Sequence, residues 1–199
     1  MYTFNEFRDI GSSPIKHPKL NGILKGEYNN SLFFVGEQML NSGKRFENNW
    51  KNSIPKEIFY YRLRDGSSSW DKGTKTRFQQ THICDCLIFD GEILYTLELK
   101  STKGKSLPFG NIKEHQITDL MWCSEFANVI SGFVIEFADI DECYFVEISR
   151  FKNFCDTTDR KSIPIEFCRT NGLKIDVIKL KINRKFNVDK FLKESVDYI

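Results

Sequence analysis

Asp85, Glu98 and Lys100 are two carboxylates and an amine that a single tight turn would bring together. The turn is Asp90-Gly91, a dipeptide that supplies the positive φ angles of a two-residue hairpin loop, set between the apolar runs 84–89 and 93–99. Such a loop predicts Phe89 facing Glu92, Asp85 facing Thr96 and Ile83 facing Glu98. Because strand side chains alternate, Asp85, Thr96, Glu98 and Lys100 share one face, with Asp85 and Glu98 as diagonal neighbours. The other face, Cys84, Cys86 and Ile88 against Ile93, Tyr95, Leu97 and Leu99, is apolar and must lie on a core. A slip of one residue would bury the carboxylates instead.

Two carboxylates at this separation can share a hard divalent cation such as Mg²⁺, which takes oxygen ligands and keeps several waters in its shell. A bound water is then the nucleophile towards a phosphodiester, and Lys100 orients it or neutralises the growing charge. The bland alternative is a solvated hairpin face, and a lone E-x-K pattern favours that alternative. The next segment shifts the balance: residues 99–113 carry Lys100, Lys103, Lys105 and Lys113 with no Asp or Glu, a setting that attracts phosphate.

Four blocks carry a family likeness: Gly43-Lys-Arg-Phe-Glu47, Asp85, Glu98-Leu-Lys100-Ser-Thr-Lys103 with Leu107-Pro-Phe109, and His115-Gln-Ile117. In order and spacing they resemble the RecU-type Holliday junction resolvases of the PD-(D/E)xK nuclease superfamily. The resemblance implies metal ligation by Asp85, Glu98 and Gln116, with Lys100 as transition-state stabiliser. It also implies Mg²⁺ as the cofactor, with Mn²⁺ able to substitute. Branched DNA, a four-way junction, is the implied substrate, and paired symmetrical nicks imply a homodimer, since a two-fold substrate offers two equivalent cuts. A recombinase is a further candidate partner.

One departure stands out. RecU-type enzymes place a threonine ligand two residues before the aspartate, and this chain has Ile83 there. Glu47, on the first helix, is a candidate substitute, because in related nucleases an acid from that helix reaches the metal; an exposed helix carboxylate is the equal alternative. For Gln116, Asn111 with Glu114 three residues later reads as a capping box, opening a helix to about Phe126 on which Ile112, Gln116 and Leu120 align. A glutamine in that stripe either finds a core partner or faces a polar site. His115 points about 100° away around the helix, towards solvent or a DNA phosphate. His17 and His82 show no partners.

Among the elements that must position these residues, a helical pattern from Ser31 runs towards Trp50, limited by Pro55. A strand follows at 58–64. The stretch from Asp65 to Gln80 is polar and long for a connection, and with Arg62, Arg64, Trp70, Lys72, Lys75 and Arg77 it forms a second basic patch. The resemblance implies a protruding stalk there that enters the junction centre, where Trp70 could stack on a base. A surface loop kept soluble by its charge is the alternative. Further strands are expected at 129–137, 143–148, 163–167 and 173–180, with a short helix from Ser149 and a last helix from about Asn187. Residues 1–30 read as an irregular arm and 31–199 as one nuclease domain with the stalk at 65–80. The expected fold is therefore α/β, a mixed central β-sheet flanked by helices, with a restriction-endonuclease-like core and a protruding stalk-like loop.

Composition bounds this only loosely. The chain has 199 residues, 40% of them hydrophobic, and a formal charge of +2, enough for one core but no identifier of a ligand. Six cysteines without a C-x-x-C pair signal neither zinc nor a disulfide framework and suit a cytosolic protein. Cys84 and Cys86, two apart on one strand, are expected to face the same way into the core. No signal peptide or membrane-length apolar run is present, so a cytoplasmic location is expected, in a bacterium or a phage-infected host. The reading is a Mg²⁺-dependent, structure-selective endonuclease of four-way junctions. Its rivals are a related nuclease acting on duplex, flap or single-stranded DNA, and a junction-binding or recombinase-modulating protein that has lost catalysis.

Overall fold

The computed structural model describes residues 42–63 and 82–199. The arm at 1–30, the start of the first helix and the stalk-like segment, with Arg64, Trp70, Lys72, Lys75 and Arg77, lie outside the described residues. The elements run α1 (Ser42–Lys51), β1 (Phe59–Arg62), β2 (Cys86–Phe89), β3 (Leu94–Thr102), β4 (Ser106–Pro108), a 3₁₀ turn (Phe109–Asn111), α2 (Glu114–Ser124), β5 (Val129–Phe137) and β6 (Glu142–Glu147). They continue with α3 (Ile148–Thr157), β7 (Ser162–Pro164), α4 (Ile165–Asn171), β8 (Leu173–Ile175), β9 (Val177–Lys179), β10 (Arg184–Phe186) and α5 (Val188–Tyr198).

Among the described residues six strands form the central sheet, in the order β1-β2-β3-β5-β6-β8. Among the described residues only β3 and β5 pair in parallel, joined by a crossover that contains α2; the other neighbours in this sheet are antiparallel. This is the expected mixed sheet flanked by helices. Two small ribbons, β4 with β7 and β9 with β10, stand outside it.

Alternation along the strands divides the core in two. Cys86, Ile88, Tyr95, Leu97, Leu99 and Val134 face α1 and α5, where Phe46, Trp50, Phe186 and Phe191 interlock, with ring centroids 5.3 Å apart for Phe46–Phe186 and 6.0 Å for Trp50–Phe191. Phe133, Ile135, Phe137 and Val146 face α2, α3 and α4, and Phe133 stacks on Phe151 at 4.2 Å. Burying each such side chain contributes about 1.5–3 kcal/mol. Gly132 lets β6 approach β5: a Cβ there would meet the Val146 carbonyl oxygen at 2.4 Å and the Phe145 ring at 2.6 Å.

The β2–β3 hairpin differs from expectation in register. Phe89 pairs with Leu94 and Cys86 with Leu97, so the loop holds four residues rather than two. Asp90 is the reason: its Oδ1 accepts the Glu92 N–H at 2.9 Å and the Ile93 N–H at 2.8 Å, closing an Asx turn in which only Gly91 takes a positive φ, 110°. The shift is two residues, so the side chains of the paired residues in β2 and β3 keep their faces.

Three further expectations are corrected. Cys84 and Cys86 do not face the same way: the chain is bent before β2 begins, and Cys84 joins the α2–α4 core while Cys86 joins the other. The strand expected at 163–167 stops at Pro164, and α4 starts at Ile165, burying Ile165 and Cys168 at helical spacing. The strand expected at 173–180 is cut at Asp176 into β8 and β9, which join different sheets. By contrast, 129–137 forms β5, and Asn187 caps the last helix by accepting the Lys190 N–H. Among the described residues no helix is long and apolar enough to cross a membrane.

Candidate active site

Asp85 stands one residue before the Cys86–Leu97 pair, in the bend that leads into β2, and its charge acts at close range on the Glu98 carboxyl. Main-chain bonds fix it on both sides: its N–H donates to the Leu97 carbonyl at 3.1 Å, and its carbonyl accepts the Leu63 N–H at 3.0 Å. Its carboxylate is fixed as well, because Oδ2 accepts the Leu99 N–H at 2.8 Å. Asp85 thus sits where β2 begins to separate from β3, a place where a side chain can replace a ladder partner.

Glu98 lies in the middle of β3 and is only 3% exposed. The pKa of its carboxyl is raised to about 7, chiefly by burial and then by the neighbouring Asp85 charge, while Lys100 opposes both. The Lys100 amine is 3.0 Å from Glu98 Oε1, and it donates to Gln116 Oε1 at 3.1 Å. The Gln116 amide nitrogen in turn donates to Glu98 Oε1. Asp85, Glu98, Lys100 and Gln116 therefore form one contiguous polar group on the α2 side of the sheet. The buried hydroxyls of Thr96 and Ser131, 2.6 Å apart, lie on the same side of β3.

Gln116 reaches the site because of where α2 starts. The helix begins at Glu114 with Lys113 before it, not at Asn111, which closes the preceding 3₁₀ turn. Gln116 is the third helical residue, and its Oε1 accepts the Lys113 N–H at 3.0 Å, the reciprocal half of a capping box. Lys113 enters the site through its main chain in this way, as does Leu99. A glutamine three residues into a helix is the one sequence signal for the Lys113 contact; the Leu99 contact needs the register.

Glu47 projects from α1 and forms an ion pair with Arg62 of β1. Its charge, like that of Asp85, is felt at the Tyr60 hydroxyl and at the Cys86 thiol, and burial pushes both groups well above their usual pKa ranges. Tyr60 Oη is buried without a hydrogen-bond partner among the described residues. Ile83, which stands where the resembled family has threonine, is 37% exposed.

Of the expected DNA contacts, Lys103, Lys105 and Lys113 are exposed and His115 is half-buried. The salt bridges among the described residues leave these three lysines without an acidic partner. No three His, Cys, Asp or Glu side chains converge among the described residues. The donor set is two carboxylates assisted by an amide, which fits a cation that keeps most of its own water, such as Mg²⁺.

Comparison with known proteins places the chain. A solved Holliday junction resolvase, Hjc of Archaeoglobus fulgidus, superposes with a TM-score of 0.44 at 15% identity, over 66% of this chain and 95% of that one. The SPbeta prophage-derived uncharacterized protein YotM of Bacillus subtilis (strain 168) is 30% identical over 172 residues, 78% of this chain and 87% of the relative. Residues 30–192 match the model of the recombination protein U family, RecU, and the chain belongs to that family.

Proposed function

We propose that this chain is a divalent-metal-dependent endodeoxyribonuclease that resolves four-way DNA junctions by paired nicks, working as a homodimer. The observation that carries the reading is the buried Glu98 carboxyl, which feels the charge of Asp85 and has the Lys100 amine 3.0 Å away. Membership of the RecU family supports recombination intermediates as the substrate class.

Asp85 and Glu98 would hold the cation, Mg²⁺ with Mn²⁺ able to substitute, and when bound it supplies an acidified water and a counter-charge for the phosphate. The chain's own groups do the rest. The Leu99 N–H holds the Asp85 carboxylate in place. Lys100 offers its cation where negative charge grows on the phosphodiester, an effect of the kind worth about 10²–10³ in rate. Gln116 ties Lys100 to Glu98 and to the start of α2, keeping the amine aimed. Glu47 acts at one remove, by holding Arg62.

The test is cleavage of a labelled four-way junction and of a matched duplex, with Mg²⁺ or with EDTA. Junction-selective, EDTA-sensitive nicks at symmetrical positions support the reading, and equal cleavage of the two substrates refutes junction selectivity. Asp85→Ala and Glu98→Ala should bind junctions without cutting them. If the wild-type chain binds junctions but cuts none, the non-catalytic reading that Ile83 invites replaces this one.

A further inference from the structure

The β4–β7 ribbon gathers cations from two distant parts of the chain. Ser106–Pro108 pairs antiparallel with Ser162–Pro164, so that Leu107 meets Ile163, and both are fully buried. The Phe109 N–H donates to the Lys161 carbonyl at 3.0 Å, and the Ile165 N–H to the Lys105 carbonyl at 2.9 Å. Lys161 is thereby held beside Phe109, which lies midway in the chain between Lys105 and Lys113. Arg160, its neighbour, has its N–H on Thr158 Oγ1 at 3.3 Å.

Lys103, Lys105, Lys113, Arg160 and Lys161 are all exposed, and none of them is in an ion pair within the described residues. The acids nearest them in the chain or by contact are fewer: Glu114, Asp159, and Asp139, whose Oδ2 accepts the Gly104 N–H at 3.1 Å. β4 is reached from the strand that carries Glu98 and Lys100 through a turn at 103–105, in which Gly104 takes a positive φ of 79° and the Thr102 hydroxyl donates to the Ser106 carbonyl at 3.0 Å. At about 3.3 Å per residue, Lys103 lies on the order of 10 Å beyond Lys100, about three base-pair steps of duplex. The turn and the ribbon thus set a group of unpaired cations beside the end of the strand that carries Glu98 and Lys100, where a phosphate backbone leaves the cut.

We infer that Arg160 and Lys161, at the Phe109 end of the β4–β7 ribbon whose opposite end carries Lys105, grip the phosphates of the DNA arm that leaves the scissile site. The inference rests on the proposed reading of the chain as a junction nuclease, and it adds DNA-binding residues that lie far from the reactive hairpin in sequence.

The experiment measures equilibrium binding of a labelled four-way junction by the full chain in EDTA across a salt series. Arg160→Gln with Lys161→Gln should weaken binding roughly tenfold and lower the salt slope by about 1 for each phosphate no longer neutralised. The control is Lys190→Gln with Lys193→Gln on α5, which changes net charge equally on the other side of the sheet. Thermal melting monitors folding, and if the ribbon double variant melts early, each single variant should lower the slope by about 1. Equal slopes for ribbon and control variants overturn the inference and leave the nuclease reading intact. Failure of the wild-type chain to bind junction DNA at all overturns both.

Discussion

Asp85 lies close enough to Glu98 to raise the pKa of its carboxyl, and the Leu99 N–H holds the Asp85 carboxylate in place at 2.8 Å. Two acids so placed oppose each other's ionisation, and the protein offsets this only in part with Lys100. The pair is unfavourable for folding alone and favourable for a cation, which is a signature of function rather than stability.

The first consequence is a pH dependence of the cation-free protein. The Glu98 pKa is raised to about 7 from its ordinary 4.5, so folding takes up a proton between those values. Its contribution to stability is therefore full below pH 4.5, declines as pH rises towards 7, and is lowest above 7. Glu98→Gln removes this slope. In EDTA at pH 8 the variant should be roughly 1–3 kcal/mol more stable than the wild type, and the gain should vanish near pH 4.5. Melting curves of both proteins across that range check it; a constant difference would contradict it.

Divalent cations should reverse the ranking. At a concentration about 100 times the dissociation constant, Mg²⁺ or Mn²⁺ should stabilise the wild type by about 2.7 kcal/mol. Asp85→Asn and Glu98→Gln should gain little. Glu47→Gln should keep the full effect, because Glu47 is engaged with Arg62. Loss of the effect in Glu47→Gln would instead make Glu47 a ligand.

Lys100→Met separates binding from chemistry. Single-turnover junction cleavage should fall by about 10²–10³, while the cation-induced rise in melting temperature remains. Gln116→Ala should lower cleavage in the same direction but less, since it loosens the amine without removing it. A Lys100 variant that cuts normally would remove the amine from the mechanism.

The fold itself is tested at Gly132. A methyl group there would overlap the Val146 carbonyl oxygen at 2.4 Å and the Phe145 ring, so β5 and β6 must separate. Gly132→Ala should cost more than about 2 kcal/mol by denaturant unfolding. Gly91→Ala, at a positive φ but with open space around it, should cost only about 1 kcal/mol.

The β2–β3 hairpin is legible in the sequence because it depends on a period of two. The loop is two residues longer than the Asp90-Gly91 dipeptide implies, yet Glu98 and Lys100 stay on one face, since an even shift preserves alternation, and Asp85 is held near them from the bend before β2 by the Leu99 N–H. Asp90 makes the difference: as a local hydrogen-bond acceptor it lengthens the loop, a competition that propensity alone does not resolve. Gln116 is marked by its place in a helical stripe, whereas its capping of Lys113 depends on where the helix begins. The segment after Pro164 reads as a strand because Ile163, Ile165 and Phe167 alternate, but Ile165 and Cys168 obey helical spacing equally well and the tertiary packing decides between them. Contacts made at long range leave no local trace. Arg184 pairs with Glu136 and Asp141, and Lys161 joins Phe109, through sheet topology alone.

The most direct measurement is Mn²⁺ binding followed by electron paramagnetic resonance, with the wild-type chain beside Asp85→Asn and Glu98→Gln at pH 8. The account predicts saturable loss of the free Mn²⁺ signal with the wild type, and roughly tenfold or more weaker binding for each variant, a difference of about 1.4 kcal/mol or more. Equal Mn²⁺ uptake by all three proteins would contradict it.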